Sequence, residues 1–339
     1  MKWEEIRENA RNKLTGICRV CRVCDGRACA GEVPGMGGVG TGTAAVNNFE
    51  ALRKVKLNLS TLHAVSDPDL SVDIFGRRLA LPVLGAAVAG TKVNFGGRLS
   101  EWEFAWAQVK GAAEAGTLAL TGDGPLAEVY ATGLAAIKEV GGAGIPIIKP
   151  RSLKEIRARI AQAEEAGALA VGIDVDAAGL VNMRQAGQPV GPLTPAALKE
   201  LCAATRLPLV VKGIMTPDEA LLAYEAGAAG IVVSNHGGRA LDHTPGTAEV
   251  LPAIARAVKG KLLLLADGGV RSGVDVLKFL ALGADAVLVG RPVVWAAFGG
   301  GVEGVAALYA KLAEELKVAM ILTGCPGARG ARPELIYQD

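Results

Sequence analysis

The chain has 339 residues, of which 50% are hydrophobic, only 4% are aromatic and 45 are glycine. This mixture is typical of a helix-and-strand protein with many tight turns and disfavours a β-sandwich. A formal net charge of +2 gives no electrostatic basis for binding nucleic acid or a membrane surface.

The first residues predict a short amphipathic helix over residues 2–12. The segment from Met1 to Lys13 is charged and lacks the apolar stretch of a secretory signal. Apolar runs elsewhere, such as Leu262 to Ala266, are much shorter than a bilayer requires. We therefore expect a cytoplasmic protein with no membrane partner.

Four cysteines follow the helix, in the pattern Cys18-x2-Cys21-x2-Cys24-x4-Cys29. In a reducing cytosol such crowding favours metal binding over disulfides. The two-residue spacings resemble an iron–sulfur ligand run more than a zinc finger, whose ligands form two separated pairs. An iron–sulfur cluster, zinc, free thiols and disulfides all stay open here.

The segment that follows the cysteines has no periodicity and contains six glycines in residues 31–43, which predicts a loop. No strand precedes this loop, so it is weak evidence for phosphate binding. A second amphipathic helix is predicted from Asn47 to Leu59. We interpret residues 1–60 as an N-terminal helical and Cys/Gly-rich extension, and residues 61–339 as the main domain.

From residue 80 onward, short apolar runs alternate with helix-length amphipathic segments. Eight such runs in about 210 residues predict an α/β fold of the TIM (β/α)8 barrel type. The alternative is a doubly wound open sheet, but no GxGxxG follows the first run. The predicted strands are Leu81–Ala86, Thr117–Thr121, Ile145–Ile148, Leu169–Asp174, Leu207–Lys212, Gly230–Ser234, Leu262–Asp267 and Ala286–Gly290.

Polar side chains stand at the ends of these runs, and they would meet on the face where barrel enzymes have their active sites. The residues concerned are Lys149, Asp174, Lys212, Ser234, Asp267 and Arg291. The loops after the last two strands, Asp267-Gly268-Gly269-Val-Arg271 and Gly290-Arg291, predict a phosphate site that combines backbone N–H groups with two arginines. Lys212 is predicted to direct its charge at an anionic or electron-rich group.

The run Ser234-Asn-His236-Gly-Gly-Arg239 leaves a short apolar strand and enters a glycine-containing loop. A histidine can take a proton near neutral pH, and an arginine grips a carboxylate at two points. Together His236 and Arg239 predict chemistry on a small acid, although a plain turn with a satisfied histidine is the alternative.

Four motifs in order then resemble the FMN-dependent α-hydroxy-acid oxidases and dehydrogenases, the glycolate oxidase and lactate oxidase family. They are Val211-Lys-Gly, Ser234-Asn-His-Gly-Gly-Arg-Ala-Leu-Asp242, Asp267-Gly-Gly-Val-Arg-Ser-Gly273 and Leu288-Val-Gly-Arg-Pro292. The resemblance covers roughly residues 47–315 and implies a barrel that binds FMN and is typically tetrameric.

The resemblance also implies residue roles. Lys212 would stabilise negative charge on the reduced flavin, His236 would be the base, and Arg239 would bind the substrate carboxylate, with both facing the ring. The implied flavin contacts are completed by Ala87, Val88, Ala89, Ser234, Asp267, Gly268, Gly269, Arg271, Gly290 and Arg291.

The sequence departs from this family on the substrate side. No tyrosine stands in the N-terminal segment, Ile147 replaces a glutamine, and Lys149 replaces a second tyrosine. The second substrate arginine is missing from its place, where only Arg184 lies nearby. Lys149 would favour a more anionic substrate or substitute for that arginine.

These observations predict an FMN-dependent oxidoreductase of the (S)-2-hydroxy-acid oxidase or dehydrogenase type, converting a small 2-hydroxy acid to a 2-oxo acid with an unidentified electron acceptor. One alternative is a flavin-dependent isomerase resembling type 2 isopentenyl-diphosphate isomerase. That family lacks the run that carries His236 and Arg239. A non-catalytic flavin or metal sensor is the other alternative.

Overall fold

The computed structural model describes residues 1–338. Eight parallel strands form one closed barrel, with each strand paired to its neighbour in sequence and the last paired to the first. In chain order the strands are β1 Val72–Ile74, β2 Arg77–Leu79, β3 Val83–Val88, β4 Ala119–Thr121, β5 Gly144–Ile148, β6 Val171–Asp174, β7 Leu209–Ile214, β8 Gly230–Val233, β9 Leu263–Ala266 and β10 Ala286–Val289. Strands β3 to β10 form the barrel, which confirms the predicted fold and excludes the open sheet.

Helices connect and surround the strands. In chain order they are α1 Trp3–Lys13, α2 Thr43–Lys54, α3 Thr91–Asn94, α4 Glu101–Glu114, α5 Ala127–Glu139, α6 Leu153–Glu165, α7 Val181–Gln185, α8 Pro195–Ala203, α9 Pro217–Glu225, α10 Thr247–Val258, α11 Gly273–Ala281 and α12 Arg291–Thr323. Ser100 and Ser152 begin α4 and α6 with capping boxes, and Thr194 and Thr216 cap α8 and α9.

The eight predicted barrel strands are all present, with ends shifted by a few residues. The first one begins at Val83 rather than Leu81, since Pro82 has no N–H to give to a ladder. Strand β7 runs on to Ile214 through a bulge at Gly213, whose φ is +106°. These shifts leave the polar side chains at the carboxyl ends, as predicted.

Aliphatic side chains fill the barrel interior, and a hairpin that was not predicted closes its amino end. Val72, Ile74 and Leu79 of the β1–β2 hairpin join the cluster of inward-facing strand residues. Phe75 at its turn lies against Gly230, the first residue of β8. The interior is therefore a packed core, and the carboxyl end is the open one.

The predicted helix from Asn47 to Leu59 was misplaced, because the structure has α2 at Thr43–Lys54. The residues after Lys54 are extended, and Leu57 forms an antiparallel bridge with Ile336 near the C-terminus. Apolar residues alternate with period two in this stretch, which suits extended chain rather than helix.

Helix α12 is, by length and composition, the one helix within residues 1–338 that could cross a membrane. Its most apolar window is 61% buried, and the helix packs against α1, α4 and α11. It turns at Gly301, whose φ is +58°. This packing is that of a core helix, and it attaches the N-terminal segment to the barrel. The division at residue 60 stays a prediction.

Candidate active site and cysteine pocket

A cleft of about 1120 Å³ opens at the carboxyl ends of the barrel strands. This volume is at the upper end of small-molecule sites, which suits a cofactor together with a substrate. Of the residues predicted for the active site, those that line it are Ala87, Val88, Ala89, Lys149, Lys212, His236, Arg239, Asp267, Gly268, Gly269, Arg271, Gly290 and Arg291. The residues predicted from the sequence therefore come from the carboxyl ends of six barrel strands, and the fold brings them together in one cleft.

Ser234 is the predicted active-site residue that does not line the cleft. It is fully buried, and its hydroxyl donates to Asp267 Oδ2 at 2.9 Å while accepting from the His236 backbone N–H at 3.0 Å. Ser234 thus fixes the start of the His236 loop against the end of β9. Its predicted contact with the flavin stays a prediction.

His236 lies at the edge of the cleft in a short turn with φ of +59°. Gly238 follows with φ of +81°, and a Cβ there would be 2.4 Å from the Ala45 amide nitrogen. Helix α2 therefore packs directly on this turn, which only glycine allows. The His236 side chain directs Nδ1 at Asp176 Oδ1, 3.0 Å away, with Asp174 Oδ1 at 3.5 Å. Within residues 1–338 the other ring nitrogen, Nε2, has no hydrogen-bond partner.

Asp174 is the hub of a buried charge network that the sequence did not predict. Its carboxylate accepts from Lys149 Nζ at 2.6 Å and from Lys212 Nζ at 3.0 Å. Burial alone would raise the pKa of Asp174, but His236, Lys149 and Lys212 outweigh it and hold the pKa well below its usual range. A lone buried carboxylate would take up a proton, whereas this one stays charged because cations surround it.

The pKa of Lys212 shifts in the opposite direction to that of Asp174. Burial alone would lower its pKa, but the charges of Asp174, Asp176 and Asp267 together raise it. Lys212 therefore carries its positive charge on the floor of the cleft at any physiological pH.

Asp176 reaches His236 because Gly213 has no side chain. A Cβ on Gly213 would lie 2.6 Å from the Asp176 carboxyl carbon. The second carboxylate oxygen of Asp176 is buried with no protein partner. The signal for this residue was in the sequence, since Asp176 stands two positions after Asp174 at the end of β6.

Asp174, Asp176 and His236 also form the one set of three potential metal ligands that lie within 4.8 Å of one another in residues 1–338. Two ammonium groups already contact Asp174. A metal cation would have to displace them or sit beside them, so this set is better described as a buried ion-paired network.

Three arginines, Arg239, Arg271 and Arg291, face the cleft, and within the described chain none of them forms an ion pair with a carboxylate. Arg291 donates to the Met36 carbonyl at 2.9 Å and to the Gly237 carbonyl at 3.2 Å. Burial and the nearby charge of Arg291 lower the pKa of Arg239 to about 10. Burial and the charge of Arg271 likewise lower the pKa of Arg291.

This unneutralised positive charge is the arrangement expected where an anion binds. Gly268 and Gly269, with φ of +99° and +91°, turn the backbone beside it. Arg271 Nε and Asp267 Oδ1 are buried without partners. Burial raises the pKa of Asp267 despite Lys212 nearby. A ligand with a phosphate and several hydroxyl groups, such as FMN, would satisfy these groups, so the residues fit the predicted cofactor.

Arg239 is held by the N-terminal segment. It donates to the carbonyl of Gly35 and to Asn94 Oδ1 at 2.9 Å, and Asn182 Nδ2 donates to the same Asn94 oxygen at 2.8 Å. Both asparagines line the cleft. Sequence reasoning missed them because Asn94 ends α3 and Asn182 lies in α7, so the two residues are far apart in the sequence.

Lys149 and Arg184, the two other residues predicted for the substrate side, differ in their position relative to the cleft. Lys149 lines the cleft and is only 6% exposed, so its charge is directed inward. Arg184 in α7 is exposed and does not line the cleft. Arg184 is therefore not in position to replace the missing substrate arginine.

The four predicted metal ligands line a separate small pocket of about 330 Å³. Cys18 Sγ accepts from the Trp295 indole N–H and from the Val20 backbone N–H, each at 3.4 Å. Cys24 Sγ accepts from Arg271 Nη2 at 3.4 Å. Arg291 and Met36 line both this pocket and the cleft. The cysteine pocket, Cys18, Cys21, Cys24 and Cys29, thus shares a wall with the cleft.

The closed barrel and its cationic cleft define a barrel enzyme that binds a phosphorylated cofactor beside a histidine. The family of FMN-dependent dehydrogenases matches residues 35–190 and 185–338. The chain belongs to this family, as the motifs of the last four strands predicted.

Similar proteins include the 4-hydroxymandelate oxidase of Amycolatopsis orientalis, which is 37% identical over 87% of this chain and 90% of that protein. The L-lactate oxidase of Lacticaseibacillus rhamnosus (strain LMS2-1) is 34% identical over 82% of each chain. A solved mandelate oxidase variant with a C4a-OH-FMN adduct superposes with a TM-score of 0.77 at 35% identity, covering 97% of both chains.

The matches confirm an FMN-dependent 2-hydroxy-acid oxidoreductase and give no support to an isomerase or a sensor.

Proposed function

We propose that His236 is the base that activates the 2-hydroxy acid and that Asp176 holds it in position. The observation that carries this role is the contact of His236 Nδ1 with Asp176 in the wall of the cleft, which leaves Nε2 without a partner among the described residues. Oxidation removes the C2 hydrogen and the hydroxyl proton together with two electrons, and FMN, when bound, accepts the electrons. His236 Nε2 takes one proton, and the adjacent carboxylates stabilise the imidazolium that forms.

The cofactor is held by cations and backbone from β7 to β10 in this proposal. Arg271 and Arg291, with the N–H groups after Asp267, bind the phosphate. Lys212 stabilises negative charge on the ring, and Ala87 to Ala89 at the end of β3 supply the backbone surface against it.

The substrate carboxylate binds Arg239, and Lys149 supplies a second cation in place of the family's phenol. The support is that both side chains line the cleft and that Asp174 holds the Lys149 ammonium in place. An acid with a second anionic or strongly polar group fits this pair of cations better than a purely aliphatic acid.

Anaerobic reduction of the bound flavin tests this function. Glycolate, (S)-lactate, (S)-mandelate, (S)-4-hydroxymandelate and (S)-malate are added separately to the holoenzyme, and the loss of flavin absorbance is followed. We expect at least one acid to bleach the wild type quickly and His236→Asn very slowly, with equal FMN content in both. If none of these acids bleaches the wild-type flavin, the proposed substrate class is wrong.

We also propose that the four cysteines bind a metal centre, an iron–sulfur cluster or zinc. The support is that all four cysteines line one pocket and that none of them forms a disulfide. Metal analysis of protein purified without air tests this proposal, and a metal-free chain would contradict it.

A cytoplasmic homotetramer is the proposed state of the protein. Crowded thiols suit a reducing compartment, and Leu59 and Leu62 stand exposed where a second copy could cover them. Light scattering of the holoenzyme measures the subunit number.

A further inference from the structure

We infer that the cysteine pocket holds an iron–sulfur cluster and that this cluster is the route by which electrons leave the active site. The inference rests on the proposed metal centre and on the hydroxy-acid oxidation. It adds the kind of metal centre, its role and the class of electron acceptor.

The spacing of the four cysteines along the chain favours a cluster over a single zinc ion. Zinc fingers take their ligands from two separated pairs, whereas iron–sulfur clusters are bound by closely spaced runs of cysteines. Cys18-x2-Cys21-x2-Cys24-x4-Cys29 is one such run, and the fold places all four residues in the wall of one pocket.

The pocket presents positive charge and N–H groups to its sulfurs, as an anionic cluster requires. The indole of Trp295 and the amide of Val20 donate to Cys18, while Arg271 donates to Cys24. Val20 is buried and has a φ of +43°, a conformation that β-branched residues avoid. The loop adopts it where the Val20 amide meets the sulfur. Such contacts raise the reduction potential of a cluster and so favour its taking up electrons.

The position of the pocket connects it to the flavin site. Arg291 and Met36 line both cavities, and Arg271 lines the cleft while its guanidinium contacts Cys24. A single layer of side chains therefore separates the two sites. On the other side the cysteine loop reaches the surface, where Val23 is 58% exposed.

The electrons balance with a one-electron carrier protein as the final acceptor. Oxidation of one 2-hydroxy acid releases two electrons and two protons. The cluster takes one electron at a time by reducing one ferric iron, and the carrier reoxidises that iron after each passage. Two passages complete one turnover, and both protons go to solvent.

The test begins with iron, sulfide and zinc analysis of the anaerobically purified holoenzyme. We expect iron and acid-labile sulfide in equal amounts and a broad visible band beside that of the flavin. The variant Cys21→Ser/Cys24→Ser should lose them and keep FMN, while Cys202→Ser on α8 should keep both. One zinc per chain would overturn the cluster and leave the proposed metal centre intact, whereas no metal would overturn both.

Electron transfer is then tested without any substrate. Blue light with EDTA reduces the bound flavin directly, and EPR at low temperature detects a reduced cluster. We expect the cluster signal in the wild type and none in the double variant, with the flavin reduced in each. A fully reduced flavin beside a cluster that stays oxidised would overturn the electron route, whatever the hydroxy-acid experiment gives.

A milder variant separates a redox role from a structural one. Trp295→Phe keeps an aromatic ring in the pocket and removes the N–H that Cys18 accepts. We expect unchanged iron and FMN content and a cluster that is harder to reduce in a redox titration. An unchanged cluster potential would contradict the proposed role of this contact.

Discussion

The two sides of the cleft are built in different ways. The flavin side, formed by Lys212, Asp267–Arg271 and Gly290–Arg291, leaves two buried polar atoms without protein partners and its arginines without a carboxylate within the described chain. On the substrate side, Asn94, Lys149, Asn182 and Arg239 already bond to one another or to Asp174 and the N-terminal segment. The first side is an open receptor for a large polar cofactor. The second must exchange existing hydrogen bonds for those of the substrate, so small sequence changes there alter specificity while the cofactor site stays intact.

The largest effect should come from the residue where the two sides meet. His236→Asn removes the base and preserves the backbone contacts of the loop. We expect the rate of flavin reduction by the hydroxy acid to fall by about 10²–10⁴-fold, with FMN binding unchanged. Rapid-mixing absorbance under anaerobic conditions measures it. His243→Asn on the same loop is the matched control, since His243 has a 70% exposed side chain. A rate loss under tenfold in His236→Asn would show that another group takes the proton.

Asp174 bonds to Lys149 on the substrate side and to Lys212 on the flavin side. We expect its substitution to lower the stability of the fold. Asp174→Asn leaves Lys149 and Lys212 buried without their shared carboxylate, which should lower the unfolding free energy by roughly 3–5 kcal/mol at neutral pH. Denaturant unfolding of the holoenzyme measures this loss. Asp67→Asn breaks an exposed pair with Lys317 and should have little effect.

The pH dependence of this loss has a definite sign. The folded pKa of Asp174 lies well below the ordinary value of 3.8, so the unfolded chain binds the proton more tightly. The stabilisation is complete above that value and is lost as the pH falls toward the folded pKa. The difference between wild type and Asp174→Asn should therefore shrink in acid. A difference that stayed constant down to acid unfolding would contradict the pairing.

Much of the fold was predictable because each barrel strand is a continuous aliphatic run that is followed by an amphipathic helix. The hairpin around Phe75 was missed because its strands have only three residues each, too few for a periodic signal. The end of α2 was misjudged because the apolar residues after Lys54 were counted as part of the helix, although they alternate with the period of extended chain. Local pattern thus predicts strands well and short connections poorly.

The site divides in the same way. Lys212, His236 and the two arginine loops stand in contiguous motifs, so sequence alone identified them. Asn94 and Asn182 meet only after the barrel closes. The contact of Cys24 with Arg271 spans 247 residues, and no spacing rule predicts it. Asp176 was the one missed residue with a visible signal.

Substitution of Lys149 tests whether its ammonium group binds the substrate at the position where the related family has a tyrosine. Lys149→Met removes a charged donor from the cleft, and a charge-assisted hydrogen bond of about 1.5–3 kcal/mol corresponds to a KM increase of about 10- to 150-fold. The value of kcat should change less. Steady-state kinetics with the best hydroxy acid measures both constants. Lys154→Met on the exposed face of α6 is the control. An unchanged KM would assign Lys149 to the Asp174 network alone.

Arg184 should give the smallest effect, although by sequence it is the nearest substitute for the missing substrate arginine. Its side chain is exposed on α7 and does not line the cleft, so Arg184→Ala should change KM less than twofold, as for other surface substitutions within about 0.5 kcal/mol. Steady-state kinetics beside Lys149→Met gives the comparison. A KM increase as large as that of Lys149→Met would mean that α7 closes over the bound acid. The small change expected would support the proposal that Arg239 and Lys149 are the two cations that hold the substrate.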